Sequence, residues 1–316
     1  MPVMRPYCGR FAPSPSGPLH FGSLVAAVGS YLDARAAAGR WLLRIEDIDT
    51  PRNVPGAADA IITTLADLGF AWDAAPLWQS DRIERYREVL EGLRLRGDAY
   101  PCACSRREIA DSALAPSADG GRVYPGTCRR GLPAGRSARS WRLRVPAQEP
   151  EARVGFADRI QGWVVQHLAN EVGDFVLRRA DGLFAYQLAV VVDDADSGVT
   201  DIVRGADLLD STPRQIWLQQ CLGFPQPRYA HLPVVTNASG EKLSKQTLAT
   251  PVTAGGGVPL LLQALRFLGQ AMPDGGAAMS LPEFWTWATA HWDPGRVPRL
   301  RGRPAEASPP GQCLPP

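Results

Sequence analysis

The amino-acid sequence predicts an α/β protein built on a parallel sheet that an insertion interrupts. Residues 7–12 are a short strand candidate, and residues 41–45 are an apolar second one. From about residue 19 to 38, apolar residues recur at three- and four-residue spacing, which is the period of one helical face. A strand, a helix and a strand in succession are typical of a crossover unit in a parallel sheet.

The later segments continue this alternation on both sides of an irregular stretch. Residues 57–68 and 81–95 have helical patterns, whereas residues 101–150 are rich in Pro, Gly, Ser and Arg, which indicates an insertion. An uninterrupted apolar run at 188–192 predicts a buried strand. Further strands are predicted at 200–204 and 234–235, and further helices at 212–222, 258–268 and 281–292. The first of these helices begins with capping residues and a first-turn proline.

These patterns divide the chain into five segments. Two halves of one α/β domain are predicted, with the insertion between them and a short helical region after them. A Pro- and Arg-rich tail follows and is expected to be disordered. The predicted bounds are 1–100 and 161–246 for the two halves, 101–160 for the insertion, 247–293 for the helical region and 294–316 for the tail.

Composition limits the class of protein. The 316 residues include 34 basic and 32 acidic side chains, a net charge of +2, so a polyanionic partner would have to bind a local patch. No stretch approaches the roughly 20 apolar residues of a membrane span, and the first residues lack a signal peptide's apolar region. We therefore expect a cytoplasmic protein with no membrane partner, whose six cysteines are reduced.

A turn rich in Pro, Ser and Gly joins the first strand to the first helix, from Pro13 to Gly22. Backbone N–H groups and the positive end of a helix dipole meet there, an arrangement that suits a bound phosphate. His20 could donate to phosphate oxygens, and Gly22 would let a nucleotide approach the backbone. An ordinary turn with a surface histidine also fits this pattern.

Only two of the 34 basic residues are lysines, and they lie three positions apart as Lys242 and Lys245. Two ammonium groups on a polar loop suit the charge that develops as a triphosphate loses pyrophosphate. Lysine is a compact, flexible point charge that the planar guanidinium of arginine does not replace. A solvated surface loop is the alternative.

Together, these two motifs resemble the signature sequences of the class I aminoacyl-tRNA synthetases. The stretch from His20 to Ser23 corresponds to the HIGH-type motif, and the stretch from Lys242 to Gln246 corresponds to the KMSKS-type loop. Ser23 replaces the second motif histidine and Gln246 replaces the final serine, and the first change weakens one presumed nucleotide contact. Four further stretches resemble the glutamyl-tRNA synthetases, at residues 10–17, 43–49, 182–189 and 201–208.

The resemblance implies a class I synthetase fold, with a Rossmann-type parallel sheet, a zinc-binding insertion and a short C-terminal helical region. It also implies an enzyme that activates L-glutamate with ATP and Mg²⁺ to glutamyl-adenylate. Glu46 would bind the substrate ammonium and Arg204 the side-chain carboxylate. The glutamate site would also contain Arg10, Phe11, Ala12, Pro13, Ser14 and Tyr186. His20, Gly22 and Lys245 would bind ATP, and His20, Lys242 and Lys245 would be catalytic.

Three cysteines cluster in the predicted insertion, at Cys102, Cys104 and Cys128. Three thiolates suit a tetrahedral zinc site, and the chain between them is long enough to loop back. The resemblance extends to the zinc insertion of short glutamyl-synthetase paralogues, and it implies Tyr124 as the fourth ligand of one structural Zn²⁺ per chain. Three reduced structural cysteines are the alternative.

The insertion also contains seven arginines between residues 122 and 144, with no acidic residue among them. Such a stretch could contact the phosphates of an RNA stem. A solvated charge run explains the same composition.

Only 71 residues follow Lys245, whereas complete glutamyl-tRNA synthetases carry a large anticodon-reading region there. The chain thus resembles the truncated paralogues, which activate glutamate without tRNA and attach it to the queuosine base in the anticodon of tRNA(Asp). The expected partners are ATP, L-glutamate and queuosine-containing tRNA(Asp), and not DNA. Three alternatives stay open: a minimal synthetase that charges a tRNA 3′ end, a non-catalytic RNA-binding paralogue, and another class I nucleotidyltransferase.

Overall fold

The computed structural model describes residues 5–112, 122–237, 252 and 256–304. Over these residues it confirms the predicted α/β class, because helices cover sheets whose central strands are parallel. None of the helices in this part of the chain has the length and the apolar character that a transmembrane segment requires.

The opening unit is the predicted crossover. Strands β1 (Cys8–Phe11) and β2 (Arg40–Ile45) are parallel neighbours, and helix α1 (Phe21–Ala36) connects them. Strand β3 (Leu77–Trp78) extends the sheet on the far side of β2. Most of α1 is buried in the larger hydrophobic core, so its inward face fixes the distance between the first two strands.

A second sheet has the strand order β7-β6-β10-β9. Its strands are β6 (Arg153–Asp158), β7 (Gly162–His167), β9 (Asp201–Gly205) and β10 (Arg228–Leu232). β10 is parallel to β9 and β6, and β7 is antiparallel to β6. The backbone N–H of Thr200 donates to the carbonyl of Cys8 at 2.9 Å, which brings β9 beside β1.

The remaining strands lie in two smaller sheets. One is an antiparallel sheet of order β4-β5-β8, in which only β5 lies wholly within the predicted insertion and β8 belongs to the segment predicted as the second half of the α/β domain, and the other is the parallel pair of β11 and β12. Their bounds are Ala99–Cys102 for β4, Ser140–Leu143 for β5, Val176–Arg178 for β8, Val234–Thr236 for β11 and Gly302–Pro304 for β12. β6 falls within the segment predicted as the insertion, yet it pairs with β10 of the second sheet.

The helices after α1 include all those that the sequence patterns predict. Their bounds are Ala57–Asp67 for α2, Ile83–Leu95 for α3, Arg106–Ser112 for α4, Leu168–Glu171 for α5, Tyr186–Asp196 for α6, Thr212–Leu222 for α7, Gly257–Phe267 for α8 and Leu281–Ala290 for α9. A capping box formed by Ser280 and Glu283 begins α9.

The prediction of a strand at 188–192 is wrong, because these residues belong to α6. All five of them are buried, and so are Asp193 and Asp194 in the next turn. A helix that is enclosed on every side produces an uninterrupted apolar run, which periodicity does not distinguish from a buried strand.

The tail that we expected to be disordered from residue 294 is ordered over 294–304. Its strand β12 pairs in parallel with β11, and Arg301 forms an ion pair with Asp210 at 2.7 Å. We predicted disorder because this segment has few apolar residues, but its backbone hydrogen bonds with β11 stabilise it. Residues 305–316 lie outside the described part of the chain.

Candidate active site

A cavity of about 730 Å³ opens at the carboxyl ends of β1, β2 and β9. It is lined by every described residue of the predicted glutamate and ATP sites, namely Arg10, Phe11, Ala12, Pro13, Ser14, His20, Gly22, Glu46, Tyr186 and Arg204. In parallel sheets the strand ends meet at one edge, where ligands bind. The lysine loop, with Lys242, Lys245 and Gln246, lies outside the described residues.

The Pro-rich turn is fixed to the end of β2. The backbone N–H of Glu46 donates to the carbonyl of Pro13 at 3.0 Å, and that of Val54 donates to Pro15 at 2.9 Å. These two bonds hold the turn against the end of β2 and against the segment that follows this strand. The cavity wall is therefore built from backbone that the sheet itself positions.

His20 caps the amino end of α1. Its Nδ1 accepts a hydrogen bond from the backbone N–H of Ser23 at 3.3 Å, and its Nε2 lies 3.1 Å from the Ser23 hydroxyl. Ser23, which departs from the motif histidine, thus contacts the remaining histidine. The imidazole lies at the positive end of the helix dipole, where an anion is stabilised.

A buried ion-pair network lies behind one wall of the cavity. Asp194 on α6 accepts from the Nε of Arg10 at 3.0 Å and from the Nη1 of Arg44 at 2.7 Å. Arg44 also donates to Glu46 at 3.2 Å, and all four side chains are less than 10% exposed. Each charge in the network is compensated by a charge of opposite sign at hydrogen-bonding distance.

The pKa values of the two carboxyl groups shift in opposite directions. Burial raises the pKa of Glu46 above its ordinary value, although Arg44 and Arg10 oppose this shift. Burial also acts on Asp194, but its two guanidinium partners outweigh it and hold the pKa of Asp194 below its ordinary value. An ammonium group beside Glu46 would therefore stabilise the ionised form of a carboxyl group that burial destabilises.

Arg204 has a different environment. Its Nε donates to the Nε2 of His231 at 3.0 Å, and its Nη2 donates to the hydroxyl of Thr212 at 2.8 Å. The guanidinium carbon lies 5.6 Å from the ring centre of Tyr229. Its Nη1 is buried and has no hydrogen-bond partner among the described residues, and the side chain lines the cavity. One edge of the guanidinium is thus left for a ligand.

Sequence reasoning missed the acidic and histidine partners of the two site arginines. Asp194 follows the apolar run that we interpreted as a strand, and His231 lies inside a strand with no motif around it. Two adjacent acidic residues directly after five buried apolar ones were the available signal for Asp194. His231 offered no such signal, because a single histidine in a strand is usually a core residue.

The three cysteines of the insertion lie together. Their sulfur atoms are all within 4.8 Å of one another, and those of Cys104 and Cys128 are 3.6 Å apart. The Tyr124 hydroxyl lies 3.3 Å from the Cys102 sulfur and 3.6 Å from the Cys104 sulfur. The chain therefore places three soft sulfur atoms and one phenolic oxygen around one point.

The guanidinium of Arg142 covers this cluster, 3.9 Å from the ring centre of Tyr124. Burial alone would raise the pKa of Cys102, but hydrogen bonds from Tyr124 and Arg142 lower it to about 7. Burial and the neighbouring thiols raise the pKa of Cys104 to about 11. A cation among these sulfur atoms would favour their thiolate forms.

Several arginines of the basic stretch are bonded to other groups of the protein. Arg129 forms an ion pair with Asp174, Arg136 pairs with Glu108 at 2.5 Å, and Arg144 donates to the carbonyl of Gly97. The side chains of this stretch that are exposed and available to an external partner belong to Arg122, Arg130 and Arg139. The stretch is thus partly an internal ion-pair system.

Comparisons with known proteins agree with this geometry. Residues 8–257 match the family described as tRNA synthetases class I (E and Q), catalytic domain. A glutamyl-Q tRNA(Asp) synthetase of Dechloromonas aromatica is 63% identical over 93% of the chain and 96% of the relative. The protein of the same name from Aromatoleum aromaticum is 64% identical over 93% of the chain and 91% of the relative.

Solved structures show the same likeness at lower identity. A glutamate-tRNA synthetase of Elizabethkingia anophelis has a TM-score of 0.75 and 26% identity, and the match covers 94% of the chain and 67% of that protein. A glutamate tRNA ligase of Elizabethkingia meningosepticum in complex with its amino acid has a TM-score of 0.77 and 26% identity, with 96% and 68% covered.

Proposed function

The chain belongs to the class I tRNA synthetases for glutamate and glutamine, and on that basis we propose that it transfers glutamate to the queuosine base of tRNA(Asp). It is a ligase that first activates L-glutamate with ATP, without tRNA, and then transfers the glutamyl group to the base in the anticodon. The observation that carries the proposal is the 63–64% identity, over nearly the full length of both chains, to relatives named glutamyl-Q tRNA(Asp) synthetase.

The residues of the cavity suit a dicarboxylic amino acid. Glu46 receives the α-ammonium, and the unpartnered Nη1 edge of Arg204 receives the side-chain carboxylate. The Tyr186 side chain lines the same cavity. The α-carboxylate is then directed toward the turn at the amino end of α1, where the phosphates of ATP bind.

Activation is an in-line attack of the glutamate α-carboxylate on the α-phosphate of ATP. A bond forms between the carboxylate oxygen and phosphorus, the bond to the β-phosphate oxygen breaks, and pyrophosphate leaves with the electron pair. His20 at the helix terminus and the ammonium groups of Lys242 and Lys245 stabilise the phosphate charge, and Mg²⁺ accompanies the ATP. In the transfer step a nucleophilic group of the queuosine base attacks the glutamyl carbonyl carbon and loses its proton, the bond between that carbon and the phosphate oxygen breaks, and AMP leaves.

The cysteine cluster suits one structural Zn²⁺. In a tetrahedral site with zinc–sulfur bonds of about 2.3 Å, neighbouring sulfur atoms lie about 3.8 Å apart. The sulfur atoms of Cys104 and Cys128 are 3.6 Å apart, and the Tyr124 hydroxyl lies at a comparable distance from two sulfurs. Cys102, Cys104, Cys128 and Tyr124, none of which lines the cavity, would therefore hold the ion, which would cross-link the insertion.

The activity is tested by ATP–pyrophosphate exchange with glutamate in the absence of tRNA, followed by transfer to tRNA(Asp) with and without queuosine. We expect exchange without tRNA, and labelling of the queuosine form alone. Arg204→Gln should abolish exchange, whereas Arg228→Gln, which changes an exposed arginine on β10, should leave it intact. Exchange that requires tRNA(Glu), or label at a tRNA 3′ end, would favour a minimal synthetase instead.

The zinc site is tested by metal content. The purified protein should contain one zinc ion per chain, and Cys104→Ser should lower this value well below one. Cys221→Ser is the matched control, because Cys221 is half-buried on α7 outside the cluster. Equal metal content in both variants would leave three reduced cysteines as the correct interpretation.

A further inference from the structure

The two arginines of the cavity differ in what holds them. Arg10 is paired with the carboxylate of Asp194 at 3.0 Å, so its charge is compensated inside the protein. Arg204 is held by an imidazole and a hydroxyl, and no carboxylate among the described residues forms an ion pair with it. Arg204 is only 5% exposed. Its positive charge is therefore buried, and no carboxylate of the described residues forms an ion pair that compensates it.

The protonation of His231 is set by Asp158. The Nδ1 of His231 lies 2.6 Å from one oxygen of Asp158, and both side chains are fully buried. The other Asp158 oxygen accepts from the backbone N–H groups of Ile160, Gln161 and His231, at 3.0, 2.8 and 3.2 Å. A carboxylate that already accepts several N–H groups accepts the Nδ1 proton of His231 as well. The proton of the neutral imidazole is therefore on Nδ1, and the lone pair of Nε2 faces Arg204.

The surroundings keep this imidazole neutral. Burial and the positive charge of Arg204 together lower the pKa of His231 to about 4. The carboxylate of Asp158 raises this pKa, but its effect is the smaller one. A neutral imidazole accepts the Arg204 Nε–H and fixes the plane of the guanidinium. It adds no negative charge, unlike a carboxylate in the same place.

We infer that His231, oriented by Asp158, is a positioning residue that aims Arg204 into the cavity and leaves its charge for the substrate. The site then selects an anionic side chain, because a carboxylate compensates the buried guanidinium and a neutral amide does not. Glutamate is bound and glutamine is rejected. This inference rests on the proposed function and adds the residues that set its substrate selectivity.

Two amide substitutions separate the two contacts of His231. The side-chain amide of glutamine reaches the position of Nε2, so His231→Gln keeps an acceptor for Arg204 and loses the contact with Asp158. The amide of asparagine reaches the position of Nδ1, so His231→Asn keeps Asp158 and loses Arg204. A merely structural role for the histidine predicts equal damage from both changes.

The experiment is ATP–pyrophosphate exchange by the full chain and both variants, with glutamate and with glutamine as substrates. We expect His231→Asn to raise the KM for glutamate at least tenfold, with the KM for ATP unchanged, and to lower the glutamate-to-glutamine ratio of kcat/KM by a similar factor. His231→Gln, which keeps the acceptor for Arg204 but loses its orientation by Asp158, should raise the KM for glutamate by only about threefold. Equal effects of the two variants, or a loss of kcat alone, would overturn the inference.

A third variant covers the case in which His231→Asn does not fold. Thr212→Val removes the acceptor for the Arg204 Nη2 while keeping the shape of the side chain, and it should raise the KM for glutamate severalfold. An unchanged KM for glutamate in this variant would count against the positioning of Arg204 by its neutral partners. Absence of exchange in the parent protein itself would reject the proposed function instead, so the two failures are distinguishable.

Discussion

At the scale of the residue, the site depends on which partner each buried charge has. Arg10, Arg44, Asp194 and Glu46 form a chain of alternating charges, each at hydrogen-bonding distance from the next. Arg204 instead has neutral partners and one open edge. The same side-chain type therefore serves as a fixed part of the wall in one place and as a charge for the ligand in another.

The alternating chain predicts a large cost for removing one carboxylate. Asp194→Asn should lower the free energy of unfolding by about 3–5 kcal/mol, because it leaves two buried guanidinium groups with too little compensating charge. Asp196→Asn, two residues along the same helix, should cost at most about 1 kcal/mol, since Asp196 pairs with Arg82 and Arg85 at the surface. Urea denaturation measures both, and equal losses would contradict the network's role.

The lowered pKa of His231 predicts a pH dependence of stability. An unfolded histidine titrates near 6.5, whereas His231 in the folded chain titrates at about 4, so only the unfolded state binds the proton between these values. Folding stability should therefore be fully present above pH 6.5 and should fall on acidification toward pH 4, at about 1.4 kcal/mol per pH unit or less.

The measurement is urea denaturation from pH 7 to pH 4.5, with His231→Gln as the comparison. The variant lacks the titrating group, so its stability should fall less steeply over this range. Burial acts against ionisation of Asp158, but its hydrogen bond from His231 outweighs this and lowers its pKa. Asp158 therefore contributes a loss only at lower pH. Parallel profiles for the two proteins would show that His231 does not contribute.

At the scale of the element, helix α6 connects the substrate cavity to the buried charges. Tyr186 at its first turn lines the cavity, and Asp194 lies eight residues later, about 12 Å along the helix axis. A strand of the same residues would have put both side chains on one face but about 26 Å apart, at about 3.3 Å per residue. The helix instead places both of them along the wall formed by β1 and β2.

The insertion meets the rest of the chain at Gly173. This glycine has a φ of +71° and forms a parallel bridge with Tyr124, and a Cβ there would lie 2.7 Å from the backbone nitrogen of Tyr124. Gly173→Ala should lower the free energy of unfolding by about 2–4 kcal/mol, from positive-φ strain and from the clash. It should also displace Tyr124 and reduce the zinc content.

Gly198→Ala is the matched control for this change. Gly198 has a φ of +69°, but a Cβ there would meet nothing within 4 Å, so only the strain remains. We expect a loss of about 1–2 kcal/mol and an unchanged metal content. Chemical denaturation and metal analysis of both variants make the comparison, and identical results would refute a special role for the contact with Tyr124.

At the scale of the whole molecule, the net charge of +2 does not show that the arginines fall into two groups, those in ion pairs within the protein and those exposed to solvent. Many arginines form ion pairs within the protein, such as that of Arg129 with Asp174 and that of Arg159 with Asp33 at 2.6 Å. An RNA partner would therefore meet individual exposed arginines rather than a uniformly basic surface. Arg130 and Arg139 are two of these exposed arginines.

These two arginines predict a salt-dependent contribution to tRNA binding. The double variant Arg130→Gln/Arg139→Gln should weaken binding of tRNA(Asp) and reduce the slope of log affinity against log salt by about 1.5, since each phosphate contact contributes about 0.7–0.9. Arg87→Gln, on the exposed face of α3, is the control and should leave the slope unchanged. Filter binding at several salt concentrations measures it, and equal slopes for the two variants would contradict the RNA contact.

Local sequence patterns anticipated much of the fold. The strand–helix–strand unit, the helices at 212–222 and 281–292 and the cysteine cluster were all visible, because each is encoded by neighbouring residues. The prediction of a strand at 188–192 was wrong, and so was the prediction of disorder at 294–304. In both cases contacts with distant parts of the chain decided the outcome.

By itself, the sequence determined which residues could take part in the chemistry, because the motif positions that line the cavity come from short contiguous stretches. The tertiary structure alone decided what each charge faces. Asp194 lies 184 residues from Arg10 in sequence, and Asp158 lies 73 residues from His231. No local period encodes such a pairing, since only the packing of α6 against the first sheet and the pairing of β10 with β6 bring these groups within hydrogen-bonding distance.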